Sequence, residues 1–167
     1  MTCRVLLMMA FGLGAILFSV VVPKCLCLVW NTTASIPVGL YMVLSPRPAR
    51  GQLVVIAPPS SVRRFVTARR YLSPTAALIK TVAAVGGDRV CRWRASVWIS
   101  GHKVAIAHLV DRRHRPLPVW RGCHVLAPAQ VFVLGWAPDS FDSRYFGPID
   151  ARSVIGAAFP IWTVLSN

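Results

Sequence analysis

A mostly β domain, a curled sheet or partly open barrel, carried on one N-terminal transmembrane helix is the fold class this sequence predicts. Three observations predict it. From Val5 to Val22 the chain reads VLLMMAFGLGAILFSVVV, without a charge and bounded by Arg4 and Lys24, and as a helix it would span roughly 27 Å, close to the hydrocarbon thickness of a bilayer. Beyond it, short runs rich in β-branched residues alternate with Gly and Pro, the pattern of strands joined by turns. Past the anchor, one good helical stretch stands out, at residues 60–72.

The apolar run ends in SVVVPKCLC, which lacks the small-x-small site of a cleavable signal peptide and follows an apolar core longer than the usual 7 to 15 or so residues. A retained membrane anchor over residues 1–24 and a single domain over 25–167 are therefore expected; the full 167 residues are enough for one sizeable core. Arg4 and the amino terminus lie on one side of the run and Lys24 on the other. Charge leaves the orientation open.

Element by element, VGLYMVL (38–44) and QLVVIAPP (52–59) read as strands, with PRPARG as the turn between them. SSVRRFVTARRYL (60–72) reads as a helix opened by a serine cap candidate, with Val62, Phe65, Val66 and Ala68 or Arg69 on its partly apolar face. Its arginines form a solvated face. AALIKTVAAV (76–85) is a nearly continuous apolar strand interrupted by Lys80, and GGD (86–88) turns the chain into RVCRWRASVWI. VWISGHKVAIA (97–107) reads as a hairpin with Ser100-Gly101 at its turn, and DRRHRPLPVWRGC (111–123) as a polar excursion. QVFVLG (130–135) is a strand leading into WAPDSFDSRYFGPID, and SVIGAAFPIW (153–162) is the last strand.

Nineteen Lys and Arg stand against five Asp and no Glu, a net charge of +14. Such a field attracts nucleic acid, anionic head groups or an acidic partner, but the bases are dispersed rather than interleaved with aromatics, so direct nucleic-acid binding is not expected. Cys91 and Cys123 can form a disulfide in an oxidising compartment or lie reduced as small apolar side chains. Cys25-Leu26-Cys27 has no second pair at zinc-site spacing, so neither a metal nor a cofactor is expected. His102, His108, His114 and His124 fall in or beside polar turns and read as surface residues.

Lys80 is the residue composition does not explain. Bracketed by Leu78, Ile79, Val82 and Ala83, it either faces solvent on a half-exposed strand or is buried with a depressed pKa, and then a neutral amine can act as a general base. Ser35 supplies a matching hydroxyl, either a turn residue or a nucleophile of the serine–lysine type. Pro37 and Gly39 fix the chain after it, leaving the Ser35 N–H free to face an oxyanion, and Thr33 can add a second donor. In DSFDSRYFG (139–147), Asp142 can pair with Arg144 or steady a hydroxyl that in turn steadies Lys80; a plain salt-bridged turn is the alternative.

TASIPVGLY, LIKTVAAVGGDRV and DSFDSRYFGPI occur in the order and approximate spacing of the serine, lysine and aspartate boxes of the type I signal peptidases, and the chain resembles in particular their conjugal-transfer branch, TraF. The resemblance implies a signal-peptidase-like fold with Ser35 as nucleophile, Lys80 as general base and Thr33 as the oxyanion side chain. It also implies that Ser140 orients the lysine, that Asp142 and Arg144 form a supporting ion pair, and that Cys91 and Cys123 are bridged. The implied setting is a periplasmic domain on the bacterial inner membrane, in contact with its lipid and acting on a pilin precursor beside other mating-pair-formation proteins. General signal peptidases carry methionine after the serine and proline at the third position, where this chain has Ile36 and then Pro37; Gly86 and Gln52 are further departures, replacing a common proline and a usual aspartate. A general signal peptidase and a non-catalytic assembly component are the competing readings.

Overall fold

A computed structural model of the chain describes residues 27–44, 48–71, 73 and 76–164, together with Val5, Met8, Met9, Gly12 and Leu13. Most of the expected anchor lies outside the described residues. Among those described, no helix is long and apolar enough to cross a membrane.

The domain is mostly β, as expected. Seven strands form the larger sheet: β1 (Cys27–Asn31), β2 (Val38–Leu44), β3 (Leu53–Ile56), β4 (Leu78–Val85), β9 (Gln130–Leu134), β10 (Ile149–Asp150) and β11 (Val154–Val164). Their order is β1-β2-β11-β3-β4-β9-β10, every neighbour antiparallel. A smaller sheet, ordered β7-β6-β5-β8, holds β5 (Arg89–Trp93), β6 (Ser96–Ile99), β7 (His102–Ile106) and β8 (Gly122–Val125). The larger sheet does not close into a barrel: its end strands are β1 and the two-residue β10, and they do not pair.

Side-chain alternation explains the packing. On β2, alternate residues Gly39, Tyr41 and Val43 are buried. Tyr41 and Val43 join Ile36, Val55, Ile79 and Ala158 in one core cluster, while Val54, Ile56, Leu78, Val82, Val131, Val133 and Ile149 form another. A third cluster, built on Ala84, Val90, Val97, Ile99, Leu126 and Phe132, joins the two sheets. Each fully buried Val or Ile contributes roughly 1.5–3 kcal/mol of transfer free energy. Gly39 has no substitute here, because a Cβ at that position would lie 2.1 Å from the Trp162 carbonyl oxygen on β11.

Helix α1 spans Ser60–Ala68, shorter than the expected 60–72. Val62 and Val66 are buried as the apolar face requires, but Pro59 occupies the N-cap position and no side chain caps the helix, so Ser60 is the first helical residue rather than the cap. Arg70 ends the helix with φ 56°, and the Tyr71 N–H reaches the Val66 carbonyl while the Arg70 N–H reaches that of Thr67. This is a Schellman ending on a residue other than glycine. The 97–107 hairpin forms with Ser100 (φ 48°) and Gly101 (φ 86°) at its turn, the paired positive dihedrals of a tight two-residue connection.

Cys91 on β5 and Cys123 on β8 face each other in register and form a disulfide that closes a separation of 32 residues. Replacing both by Ser should lower unfolding stability by about 3 to 4 kcal/mol on the loop-entropy relation. Urea unfolding of the double variant beside the wild type measures this; equal midpoints and slopes would mean that the bridge carries no stability.

Candidate active site

The turn between β1 and β2 holds Ser35, and its shape is set by Asn31. The Asn31 Nδ2 amide lies 2.9, 2.9 and 3.0 Å from the carbonyl oxygens of Thr33, Ile36 and Pro37, and its Oδ1 accepts from the Thr33 N–H and hydroxyl. Ile36, fully buried, pins the next residue into the core, and the Tyr41 hydroxyl donates to the Pro37 carbonyl at 2.7 Å. The Trp136 N–H donates to the Ser35 carbonyl at 2.7 Å, tying this turn to the segment after β9. The Ser35 N–H itself makes no hydrogen bond among the described residues.

Lys80 sits on β4 on the same face as Leu78 and Val82, with 2% of its surface exposed. Its Nζ donates to Ser35 Oγ at 2.7 Å and to Ser140 Oγ at 2.9 Å. Burial pushes the amine down to about 8; Asp142 opposes that shift and Arg144 adds to it. Of the two alternatives for this lysine, the buried one is observed.

Ser140 keeps its place through Gly135. A Cβ at Gly135 would lie 2.1 Å from Ser140 Oγ and 3.1 Å from the Ser35 carbonyl oxygen, so any side chain there would displace the hydroxyl that touches the lysine. Asp142 is fully buried and caps the short helix α2 (Ser143–Phe146). Its carboxylate accepts from Arg144 Nε at 2.8 Å, Arg144 Nη2 at 3.0 Å, the Arg144 N–H at 3.0 Å and the Gly135 N–H at 2.7 Å. The alternatives drawn from sequence thus resolve to a buried Asp142–Arg144 pair that also holds Gly135, not a direct bond from Asp142 to the Ser140 hydroxyl.

Thr33 is less committed. Its hydroxyl lies 3.2 Å from Asn31 Oδ1 and 3.3 Å from Ser35 Oγ, so it must release Asn31 before it can donate to an oxyanion. Asp139, the remaining carboxylate of that stretch, forms an exposed pair with Arg112 at 2.6 Å. All four histidines are exposed. Among the described residues no group of three or more His, Cys, Asp or Glu lies together to hold a metal.

Three contributors escaped the sequence reading. Asn31 and Gly135 carried faint signals, an Asn opening a turn and a Gly ending a strand. Arg92 carried none: nearly fully buried on β5, it donates to the Arg144 carbonyl at 2.6 Å and the Pro118 carbonyl at 3.2 Å, linking the small sheet to the site. Ser35, Lys80 and Ser140 open on a cleft of about 900 Å³ whose other walls come from the end of α1 and residues 108–117 and 137–145.

An open antiparallel sheet with a serine hydroxyl against a buried lysine amine fits a serine peptidase, and the chain belongs to the signal peptidase family, peptidase S26, whose model matches residues 1–163. It is similar to the probable conjugal transfer protein TraF of Sinorhizobium fredii (strain NBRC 101917 / NGR234), at 38% identity over 144 residues, covering 80% of this chain and 76% of that protein. The plasmid transfer protein TraF of Escherichia coli is 31% identical over 144 residues, covering 80% and 81%. Among solved structures, signal peptidase I of Enterococcus faecalis V583 aligns with a TM-score of 0.39 and 21% identity, covering 68% of this chain and 97% of that one.

The folded amine's value lies below the ordinary 10.5, so between about 8 and 10.5 the unfolded chain binds more protons and stability rises with pH through Lys80. Lys80→Met should therefore stabilise the fold by up to about 3 kcal/mol near pH 7, with the advantage shrinking above pH 8. Urea midpoints of both proteins across that window test it; a constant difference would mean that the amine is not held below its usual range.

Proposed function

We propose that this chain is a membrane-anchored serine endopeptidase of conjugal transfer, with Ser35 as nucleophile and Lys80 as general base, that processes a pilin precursor. The observation that carries this reading is the 2.7 Å approach of the buried Lys80 amine to Ser35 Oγ. Residues 1–24 form the anchor in this reading, and residues 25–167 the peptidase domain, on the periplasmic side of the inner membrane.

Neutral Lys80 accepts the hydroxyl proton as Ser35 Oγ attacks the scissile carbonyl carbon. The Ser35 N–H, free of other partners among the described residues, receives the oxyanion, and the Thr33 hydroxyl joins it after leaving Asn31; one such donor is worth about 3 to 4 kcal/mol. Collapse expels the amine, which takes the proton from Lys80, and leaves Ser35 acylated. Ser140 keeps Nζ aimed during both transfers, and the Asp142–Arg144 pair keeps residues 135–144 in place. Removing either ion would leave the other buried and unpaired, at a cost of about 3–5 kcal/mol.

Water resolves the acyl-enzyme to a linear product; attack by the substrate's own amino terminus gives a cyclic one. The relatives' names associate them with conjugal and plasmid transfer, which supports a pilin precursor over ordinary secretory precursors.

Coexpression with the pilin precursor of the same transfer system tests this by mass spectrometry. Ser35→Ala and Lys80→Ala should each leave the precursor uncut in membranes that still contain the peptidase, and a wild-type product lighter by one water than the linear chain identifies cyclisation. Cleavage by the wild type should rise with pH through about 8 as Lys80 loses its proton. Normal maturation in both variants would leave the assembly-component reading, and cutting of secretory precursors instead of the pilin would favour a general signal peptidase.

A further inference from the structure

The cleft that opens on Ser35 and Lys80 is lined by five arginines, Arg69, Arg70, Arg112, Arg113 and Arg115, against two aspartates, Asp111 and Asp139. Arg112 is matched by Asp139 at 2.6 Å, and Arg115 by Asp111 at 2.7 Å. Asp111 has no hydrogen-bonding capacity left for a further cation. Its Oδ1 accepts the N–H groups of Arg113 and Arg115, and its Oδ2 accepts Arg115 Nε and the Tyr71 hydroxyl, which fills the roughly four acceptor positions of a carboxylate.

Arg69 shows the consequence. Its guanidinium lies over the Phe65 ring, 4.2 Å from the centroid, and Nη1 stands 3.7 Å from Asp111 Oδ2, shut from solvent with no hydrogen-bond partner. Arg70 and Arg113 are exposed, and neither side chain has an ion pair or hydrogen bond among the described residues. A buried donor without a hydrogen-bond acceptor is costly, and the two unpaired cations Arg70 and Arg113, beside Arg69, which shares Asp111 with Arg115, focus a positive field on the occupant of one concave site.

We propose that Arg69, Arg70 and Arg113 recognise a carboxylate of the substrate polypeptide close to the scissile bond. The inference rests on the peptidase reading for the identity of the occupant: a cleft containing the nucleophile receives a polypeptide, and a polypeptide's anions are Asp and Glu side chains or its terminal carboxylate. An arginine fork binds either through two parallel charge-assisted hydrogen bonds. The chain's cationic composition thereby acquires a local use, since these arginines select the substrate.

Full-length Ser35→Ala protein in detergent is titrated with four fluorescein-labelled alanine-rich decapeptides, carrying Glu or Gln near the centre and a free or amidated carboxyl end. At least one carboxylate-bearing peptide should bind about tenfold more tightly than the Gln, amidated peptide, with the gap shrinking in salt. The Glu–Gln arm and the free–amidated arm separate the two sources. Adding Arg70→Gln and Arg113→Gln should bring the ratio close to one, as should a variant that also carries Arg69→Gln, whereas Arg94→Gln in the small sheet should leave it intact. Equal binding of all four peptides overturns the inference, as does a preference that survives the cleft substitutions or is equally lost with Arg94→Gln. Retention of phosphatidylglycerol vesicles through these arginines, without any peptide preference, assigns the cleft to lipid and likewise overturns it. Mass spectrometry of the same peptides after incubation with wild-type protein keeps the two ideas apart: binding preference without any cleavage counts against the peptidase reading, and cleavage without preference counts against carboxylate recognition.

Discussion

A lysine amine held away from water between two hydroxyl groups is a demanding arrangement. Lys80 Nζ contacts Ser35 Oγ and Ser140 Oγ, and along its own strand face it has Leu78 and Val82 for neighbours. Charged, it would lose hydration that these two weak dipoles do not replace; neutral, it becomes an acceptor for the Ser35 proton. The same desolvation that makes the residue expensive fits it to the proposed role of base. Asp142 limits the shift without abolishing it, because Arg144 offsets much of the nearby negative charge.

Three segments remote in sequence must meet for this to hold. The turn at 31–37 is shaped by Asn31 and anchored by Ile36. Strand β4 enters between β3 and β9, in the interior of the sheet, where a lysine is kept from solvent. The segment after β9 returns through Gly135 and Trp136, one making room for Ser140 and the other gripping the Ser35 carbonyl. Arg144 extends the arrangement with bonds to the carbonyls of Gly135 and Pro138, and Arg92 reaches its backbone from the smaller sheet. Buried ionic groups of this kind are poor sources of net stability, but they fix one geometry when every member is satisfied.

Much of the strand pattern was legible because the strands are rich in β-branched and other apolar residues and their connections use Gly and Pro. The 38–44 strand follows from that punctuation, and the 97–107 hairpin of the smaller sheet from Ser100-Gly101. Less legible were β1, which lies directly behind the apolar run, and β10, whose two residues carry no period. The end of α1 was misread because the arginine-rich pattern runs on, whereas Arg70 adopts a left-handed conformation more often signalled by glycine. At the site, Lys80 stood out because a lone charge in an apolar run demands an explanation. Arg92 escaped notice because the alternating bases of RVCRWR look like an exposed face, whereas the residue is buried and bonds the carbonyls of Pro118 and Arg144.

The central claim is that Lys80 gives up its proton far more readily than an ordinary lysine and so can serve as a base, and its titration tests that most directly. With lysines labelled at the Cε carbon and the Lys80 resonance assigned from a Lys80→Arg sample, NMR across the alkaline range should give a midpoint near 8. A midpoint at the ordinary value of 10.5 would contradict the account, because an amine that keeps its proton until then cannot accept one from Ser35 at working pH.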